Sequence, residues 1–348
     1  MKKLFTLLFI LSIQVLWAQQ PYYNDVDLTL TGQELYYELQ EKIDRASSSF
    51  NYGDVKDVMK ITDKDPNNNY KVLLIYGHND NDGNCTTDRT RNNNSFGGGN
   101  CDYNREHVFA RSNANPGMGN TSNGSTGIVA DPHNLRPSDT RMNSNRGNKK
   151  FGPGSGNAGT TSSGYFYPGD EWKGDVARMM MYMYTRYGSR CLPSLNGTGS
   201  TQGSTQMLQL YLQWNVEDPV SEVEDQRNPY LENVYGNRNP FIDNPYLATI
   251  IWGGPAAEDR WNMIGVGEFT QQDVSVYPNP ADEVIWVSNS SSLSIEKYSV
   301  YDMSGRLVME NSLNPSDSQI NVSNLDKGVY LLQLNSATNS ITKKIMVH

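Results

Sequence analysis

The spacing of apolar residues changes once along this chain, and that change limits the folds open to it. Before about residue 265 apolar side chains recur at helical spacing. Leu35, Leu39 and Ile43 repeat every four residues, and Val176, Met180, Met183, Tyr184 and Tyr187 fall along one face. From Val274 onward short alternating runs take over: VIWVSN, KYSVYDMSG, RLVMEN, QINVSN, GVYLLQLN and TKKIMVH. Turns such as Met303-Ser-Gly305 and Asp326-Lys-Gly328 separate them. Strands this short and evenly spaced imply a small all-β sandwich. The chain thus reads as α+β: a mostly helical domain over 19–265, a linker over 266–273 and a β-sandwich over 274–348. A length of 348 residues is enough for both cores.

Residues 1–18, MKKLFTLLFILSIQVLWA, place two lysines before an apolar run that ends at Ala18, which is the pattern of a secretory signal peptide. The run is too short for a comfortable membrane span, and no later stretch is long and apolar enough, so no stable membrane insertion is expected. Export permits disulfides. Cys85 and Cys101 flank a Gly/Asn-rich loop and form the natural pair, which leaves Cys191 odd. The formal net charge is −9, and loss of Lys2 and Lys3 with the signal makes it −11. A chain this acidic can hold nucleic acid only through a local basic patch.

Such a patch lies in Asp102–Gly152, DYNREHVFARSNANPGMGNTSNGSTGIVADPHNLRPSDTRMNSNRGNKKFG. Over Asp102–Phe151, Arg105, Arg111, Arg136, Arg141, Arg146, Lys149 and Lys150 face only Asp102, Glu106, Asp131 and Asp139, a local excess of +3. Phosphodiester hydrolysis needs a base for water, a divalent ion and cationic groups for the flanking phosphates. His107 offers an imidazole that ordinarily titrates near neutral pH. Glu106 and Asn143 offer hard oxygens of the kind Mg²⁺ or Ca²⁺ accepts. Asn104–Phe109 reads as a strand and Ala130–Leu135 as a second extended piece. Pro137-Ser-Asp precedes a helix on which Asn143 and Arg146 share a face. Neighbours in a regular strand point to opposite faces, so Glu106 and His107 can serve one site only where strand geometry lapses.

Other segments are plainer. Thr31-Gly-Gln-Glu34 has capping-box spacing. KVLLIY, Lys71–Tyr76, reads as a buried strand and Leu208–Trp214 as helical. His78–Gly83, HNDNDG, fails as an EF-hand because His78 and Arg89 stand where Asp and Glu are required, and it reads as a polar turn. On residue types alone a Glu-His pair is more often surface decoration. His133, between Pro132 and Asn134, serves equally well to fasten a turn, and the basic run serves as a solvated helix face.

The order of several motifs changes those odds. Asn104-Arg-Glu-His-Val108, Asp131-Pro-His-Asn-Leu-Arg-Pro137, Asn143-Ser-Asn-Arg-Gly-Asn148 and Phe151-Gly152 together resemble the bacterial endonuclease I family of His-Me finger (ββα-metal) nucleases. Lys173-Gly-Asp-Val-Ala-Arg178, Tyr182-Met183, Arg186-Tyr187 and Arg238-Asn-Pro-Phe-Ile-Asp243 extend the likeness over roughly residues 30 to 255. The resemblance implies a secreted endonuclease, with little sequence preference, that cuts DNA and often RNA to leave 5′-phosphates. By it His107 is the general base, Glu106 and Asn143 hold Mg²⁺ (with Mn²⁺ or Ca²⁺ as alternatives), and Arg146 contacts phosphate or orients the site. Arg105, Arg111 and Lys149 are expected at the substrate, and His133, Asn134 and Arg136 brace the finger or touch substrate. Some relatives carry a transition-state arginine between the two finger strands, and Arg111 is the only arginine in that interval here.

The tail, with Val276-Tyr-Pro-Asn-Pro280, Tyr301-Asp-Met-Ser-Gly-Arg306 and Lys327-Gly-Val-Tyr330, resembles the C-terminal sorting domain of the type IX secretion system in Bacteroidetes. That implies the secretion machinery as partner and a secreted or outer-surface location for a chain expected to act as a monomer. The competing reading is a catalytically inactive relative that binds nucleic acid or glycans at the cell surface. A metalloprotease reading has no His-Glu-x-x-His to stand on.

Overall fold

The computed structural model describes residues 19–263, 274–289, 295–313, 318–335 and 340–348. The expected signal segment 1–18 and the expected linker 266–273 lie outside them. The chain divides into two compact units, 1–261 and 262–348.

A helix that exposes almost nothing is central to the first unit. In Lys173–Tyr187 every residue from Gly174 to Met183 is buried, as is Thr185. The sequence suggested one packed face. Instead the helices Gly32–Asp44, Gln209–Glu217 and Pro240–Asp243 surround it. Gly174 permits the closest approach, since a Cβ there would lie 2.1 Å from the Asp218 carbonyl oxygen. Gly32–Asp44 buries the expected stripe of Leu35, Leu39 and Ile43. Thr31 precedes it but caps no backbone N–H, so the capping box does not form there. One forms at Ser221 and Glu224, which start a helix over Glu222–Tyr235. That helix is hidden in the sequence because Arg227 and Asn228 occupy two of its buried positions beside Val223, Leu231 and Tyr235.

Two small antiparallel sheets complete this unit's main framework. The strand Asn68–Leu73 pairs with Lys64–Asp65 and Thr90–Asn92. The expected strand Lys71–Tyr76 leaves this ladder after Leu73, though Leu74, Ile75 and Tyr76 stay fully buried. The second sheet joins Tyr103–His107 to Leu135–Asp139, in register from Tyr103 opposite Asp139 to His107 opposite Leu135. The helix Thr140–Arg146 follows at once, capped by Asp139 Oδ1, which accepts the N–H groups of Arg141 and Met142. The strand expected over Asn104–Phe109 thus ends at His107. The extended piece expected over Ala130–Leu135 is mostly a pair of tight turns, Gly127–Ala130 and Pro132–Asn134. Asp131 accepts the His133 N–H and Pro132 has its φ preset, a combination that favours a turn over a strand.

Cys85 and Cys101 are joined in a disulfide that closes a loop of sequence separation 16. A loop of that size contributes about 3 kcal/mol by restricting the unfolded chain. The second unit has two antiparallel sheets, a four-stranded one of Lys297–Asp302, Leu307–Ser312, Gly328–Asn335 and Ser340–Val347, and a three-stranded one of Val274–Tyr277, Val284–Asn289 and Gln319–Asn321. Ile285, Val300, Ile320, Leu332, Leu334 and Ile345 belong to their common core. No helix among the described residues is long and apolar enough to cross a membrane.

Cys191 is fully buried, and burial pushes its thiol up to about 12. A thiol held protonated and shielded reacts poorly. Ellman's reagent is expected to detect far less than one thiol per native chain and one after denaturation without reductant. A full equivalent in the native protein would contradict the burial.

Candidate active site

A cavity of about 480 Å³ opens where the two-stranded sheet meets the helix Thr140–Arg146. Tyr52, Arg105, Glu106, His107, Arg111, Asn143 and Arg146 line it, with the loop Gly117–Gly119. Glu106 and His107 both reach it although they are strand neighbours. His107 is the last residue of the ladder, and the two side chains are held by different surroundings. Glu106 meets Tyr76 and Arg146, whereas His107 meets Tyr52 and Val129.

His107 is 7% exposed. Its ring stacks on Tyr52, with centroids 5.5 Å apart and planes 14° from parallel. Nε2 lies 2.8 Å from the Val129 carbonyl oxygen. A carbonyl only accepts, so Nε2 carries the proton and Nδ1 keeps its lone pair. Burial lowers the imidazole to about 3, and Arg111, Arg105 and Arg146 push the same way against the Val129 bond. The near-neutral titration expected from the residue type is therefore corrected. The ring is neutral, in one tautomer, throughout the ordinary pH range.

Glu106 is 3% exposed. Burial raises its carboxyl to about 7, opposed by Arg146 and the Tyr76 hydroxyl. Tyr76 donates to Oε1 at 3.1 Å, and Arg146 Nη1 lies 3.4 Å from the same oxygen. Asn143 donates its amide nitrogen to Asn104 Oδ1 at 2.7 Å and to the Arg105 carbonyl at 3.4 Å, which leaves its oxygen for the cavity. No group of three or more His, Cys, Asp or Glu among the described residues could hold a metal ion. The fit to a hard cation therefore rests on two oxygens, Glu106 Oε2 and Asn143 Oδ1. Neither takes a hydrogen bond from the described residues, and both belong to residues lining one cavity. That suits a cation such as Mg²⁺, which keeps several waters.

The cationic residues divide. Arg111 lines the cavity and spends Nη1 on the Gly119 carbonyl at 2.8 Å. Arg105 also lines it, with its guanidinium 3.7 Å from the Tyr52 ring centroid and bonded to the Tyr52 carbonyl. Lys149 is not among the lining residues and binds the Asn145 carbonyl. Arg146 is fully buried and holds the carbonyls of His107, Gly147 and Val108 and the Asn196 side chain. Its guanidinium borders the cavity while its two terminal nitrogens are bonded to protein oxygens.

His133, Asn134 and Arg136 are buried, lie outside the cavity lining and are bound internally. His133 Nε2 meets the Asn237 carbonyl at 3.2 Å, and burial lowers its imidazole to about 4. Asn134 clasps Phe109, accepting its N–H at 2.7 Å and donating to its carbonyl at 3.1 Å. Arg136 pairs with Asp63 at 2.5 Å and Asp175 at 2.8 Å. Sequence reasoning missed Tyr52, Tyr76 and Asn196. They are common residue types, distant in sequence from the motif, and nothing in their local pattern marks them.

Comparison with known proteins gives the class of protein that carries this cavity. Residues 31–246 match the family model described as Endonuclease I, and the chain belongs to that family. Residues 275–348 match the secretion system C-terminal sorting domain, which marks the protein for export by type IX secretion. The extracellular ribonuclease of Bacillus subtilis (strain 168) is 38% identical over 237 residues, 64% of this chain and 75% of the relative. The extracellular ribonuclease of Bacillus amyloliquefaciens is 38% identical over 220 residues, 59% of this chain and 69% of the relative. The protein is a secreted nuclease. Family members generally depend on a divalent metal.

Because Arg136 neutralises two buried carboxylates, Arg136→Ala is expected to cost about 3–5 kcal/mol. Urea unfolding of the two proteins measures the difference. A loss below about 1 kcal/mol would remove Arg136 from this bracing role.

Proposed function

We propose that the chain is an endonuclease that cuts RNA and DNA with little sequence preference, using His107 as general base and one divalent ion, Mg²⁺ in the first instance, at Glu106 and Asn143. The observation that carries this reading is the Nε2–H bond from His107 to Val129, which leaves Nδ1 as a lone pair on a residue that lines the same cavity as Glu106 and Asn143. RNA takes a place beside DNA because both relatives are named ribonucleases.

The sheet and helix that carry these residues form the ββα-metal (His-Me) finger in this reading. His107 Nδ1 takes a proton from the attacking water as the new phosphorus–oxygen bond forms. The 3′ oxygen leaves, so the phosphate remains on the 5′ end. Tyr52 and Val129 hold the imidazole plane and tautomer through that transfer. Arg111 and Arg105 supply positive charge to the phosphates, and Arg146 keeps the helix against the end of the strand. A Mg²⁺ held by Glu106 and Asn143 would supply positive charge opposite the scissile phosphate and the leaving oxygen. Mn²⁺ and Ca²⁺ are the substitutes to compare.

Digestion of plasmid DNA and structured RNA by the mature protein in Mg²⁺ tests this, with EDTA and His107→Ala in parallel. EDTA is expected to stop cutting, His107→Ala to slow it by about 10²–10⁴-fold, and the products to ligate as 5′-phosphates. Undiminished cutting by a folded His107→Ala protein would remove His107 as the base. Binding without cutting in any divalent ion would favour the inactive surface-binding reading.

A further inference from the structure

We propose that Tyr76 is a positioning residue for the Glu106 carboxylate: it holds one oxygen so that the other faces a divalent cation. The inference rests on the reading of Glu106 as a metal ligand and adds a residue, 30 positions away, that sets its orientation.

The backbone gives the first reason. Tyr76 has φ of 74°, one of three non-glycine residues with positive φ among those described. A bulky side chain is rarely found there, and such a conformation persists only where the surroundings impose it. They do so at Tyr76. The Ile75 N–H donates to the Pro137 carbonyl at 2.9 Å, and the Gly77 N–H to the Leu74 carbonyl at 2.9 Å. The Trp172 indole donates to the Gly77 carbonyl at 2.8 Å. Gly77 admits no side chain, since a Cβ would lie 2.1 Å from the Asp88 carbonyl oxygen. The ring is fully buried against Phe166, at 5.0 Å between centroids, and Phe151, at 6.4 Å. A glycine would relieve the backbone and a phenylalanine would fill the same space. What tyrosine alone adds is the hydroxyl.

The hydroxyl gives the second reason. Its hydrogen bond is to Glu106 Oε1, at 3.1 Å. Arg146 approaches the same oxygen at 3.4 Å but is committed to three carbonyls and Asn196 as well. Both donors therefore lie on Oε1, and Oε2 takes no hydrogen bond from the described residues. A carboxylate gripped at one oxygen cannot rotate freely, so the second oxygen keeps a fixed direction. Groups that orient a ligand in this way typically change metal affinity about 10–100-fold when removed. A buried hydroxyl that merely needed an acceptor would show in stability and leave metal affinity unchanged.

Mn²⁺ binding followed by calorimetry and by electron paramagnetic resonance separates these roles, using the mature protein, Tyr76→Phe, Glu106→Gln and Tyr182→Phe. Tyr182 is a control: it is also fully buried, and its hydroxyl also donates to a carboxylate, Asp131 at 3.1 Å, outside the cavity lining. Tyr76→Phe is expected to weaken Mn²⁺ binding by roughly tenfold or more, with cutting largely recovered at saturating Mn²⁺. Tyr182→Phe is expected to bind Mn²⁺ as the parent does, at a temperature where all four proteins are folded. Parental Mn²⁺ affinity in Tyr76→Phe, while Glu106→Gln loses binding, would overturn the inference and spare the metal assignment. Equal weakening in the two tyrosine variants would reduce Tyr76 to a stability element. Parental affinity in Glu106→Gln would end the metal reading itself and this inference with it.

Discussion

The site depends on a buried lattice of charge. Arg136, opposite Glu106 in the two-stranded sheet, is fully enclosed and balanced by Asp63 and Asp175. Asp63 also binds Arg227, whose second nitrogen holds the Pro132 and Leu135 carbonyls at 2.8 and 3.1 Å. Arg178 pairs with Glu224 at 2.6 Å. These groups tie the strand after the tight turns to the central helix and to the helix Glu222–Tyr235. Buried ion pairs add little net stability over well-packed apolar residues, but an unpaired charge left inside is costly. The lattice therefore penalises any arrangement in which strand and helices are out of register. The strand Leu135–Asp139 that they hold pairs with the strand of Glu106 and leads directly into the helix of Asn143.

Burial then performs chemistry as well as packing. Placing His107 out of water keeps it neutral, and the Val129 carbonyl fixes which nitrogen holds the proton. An exposed histidine would divide its time between charged and neutral forms and between tautomers. The same desolvation acts on His133 in the same direction. Its ring lies 4.5 Å from Tyr182 and its Nε2 is spent on Asn237. The two buried histidines thus share an environment and differ in access, because only His107 borders the cavity.

That difference marks the limit of what the sequence made legible. The positions of Glu106, His107 and Asn143 in one cavity follow from motifs readable in order along the chain, and the helix after Asp139 follows from its capping residue. The sandwich strands were readable from their alternation. The helix Glu222–Tyr235 was not, because polar side chains fill part of its buried stripe. For Arg136, His133 and Asn134 the motif alone leaves bracing and substrate contact both open, because a basic or amide side chain suits either. Their burial depends on Asp63, Asp175, Asn237 and Phe109, partners that no local pattern identifies. Tyr52 and Tyr76 reach the site only through tertiary contact.

Export and site geometry meet at Arg91. Its guanidinium binds the carbonyls of both disulfide cysteines, Cys85 at 2.6 Å and Cys101, and reaches Asp139 Oδ2 at 3.3 Å. Asp139 uses its other oxygen to cap the helix that carries Asn143 and Arg146. Thr140, the first residue of that helix, donates its N–H to the Asp102 carbonyl, one residue past Cys101. The disulfide thus fixes two carbonyls, those carbonyls place an arginine, and the arginine steadies the cap of the site helix. A chain sent to an oxidising space can rely on such a covalent anchor, where a reduced cytosolic protein would need more core. The sorting domain directs the nuclease to export, into surroundings in which this support of the helix Thr140–Arg146 can form.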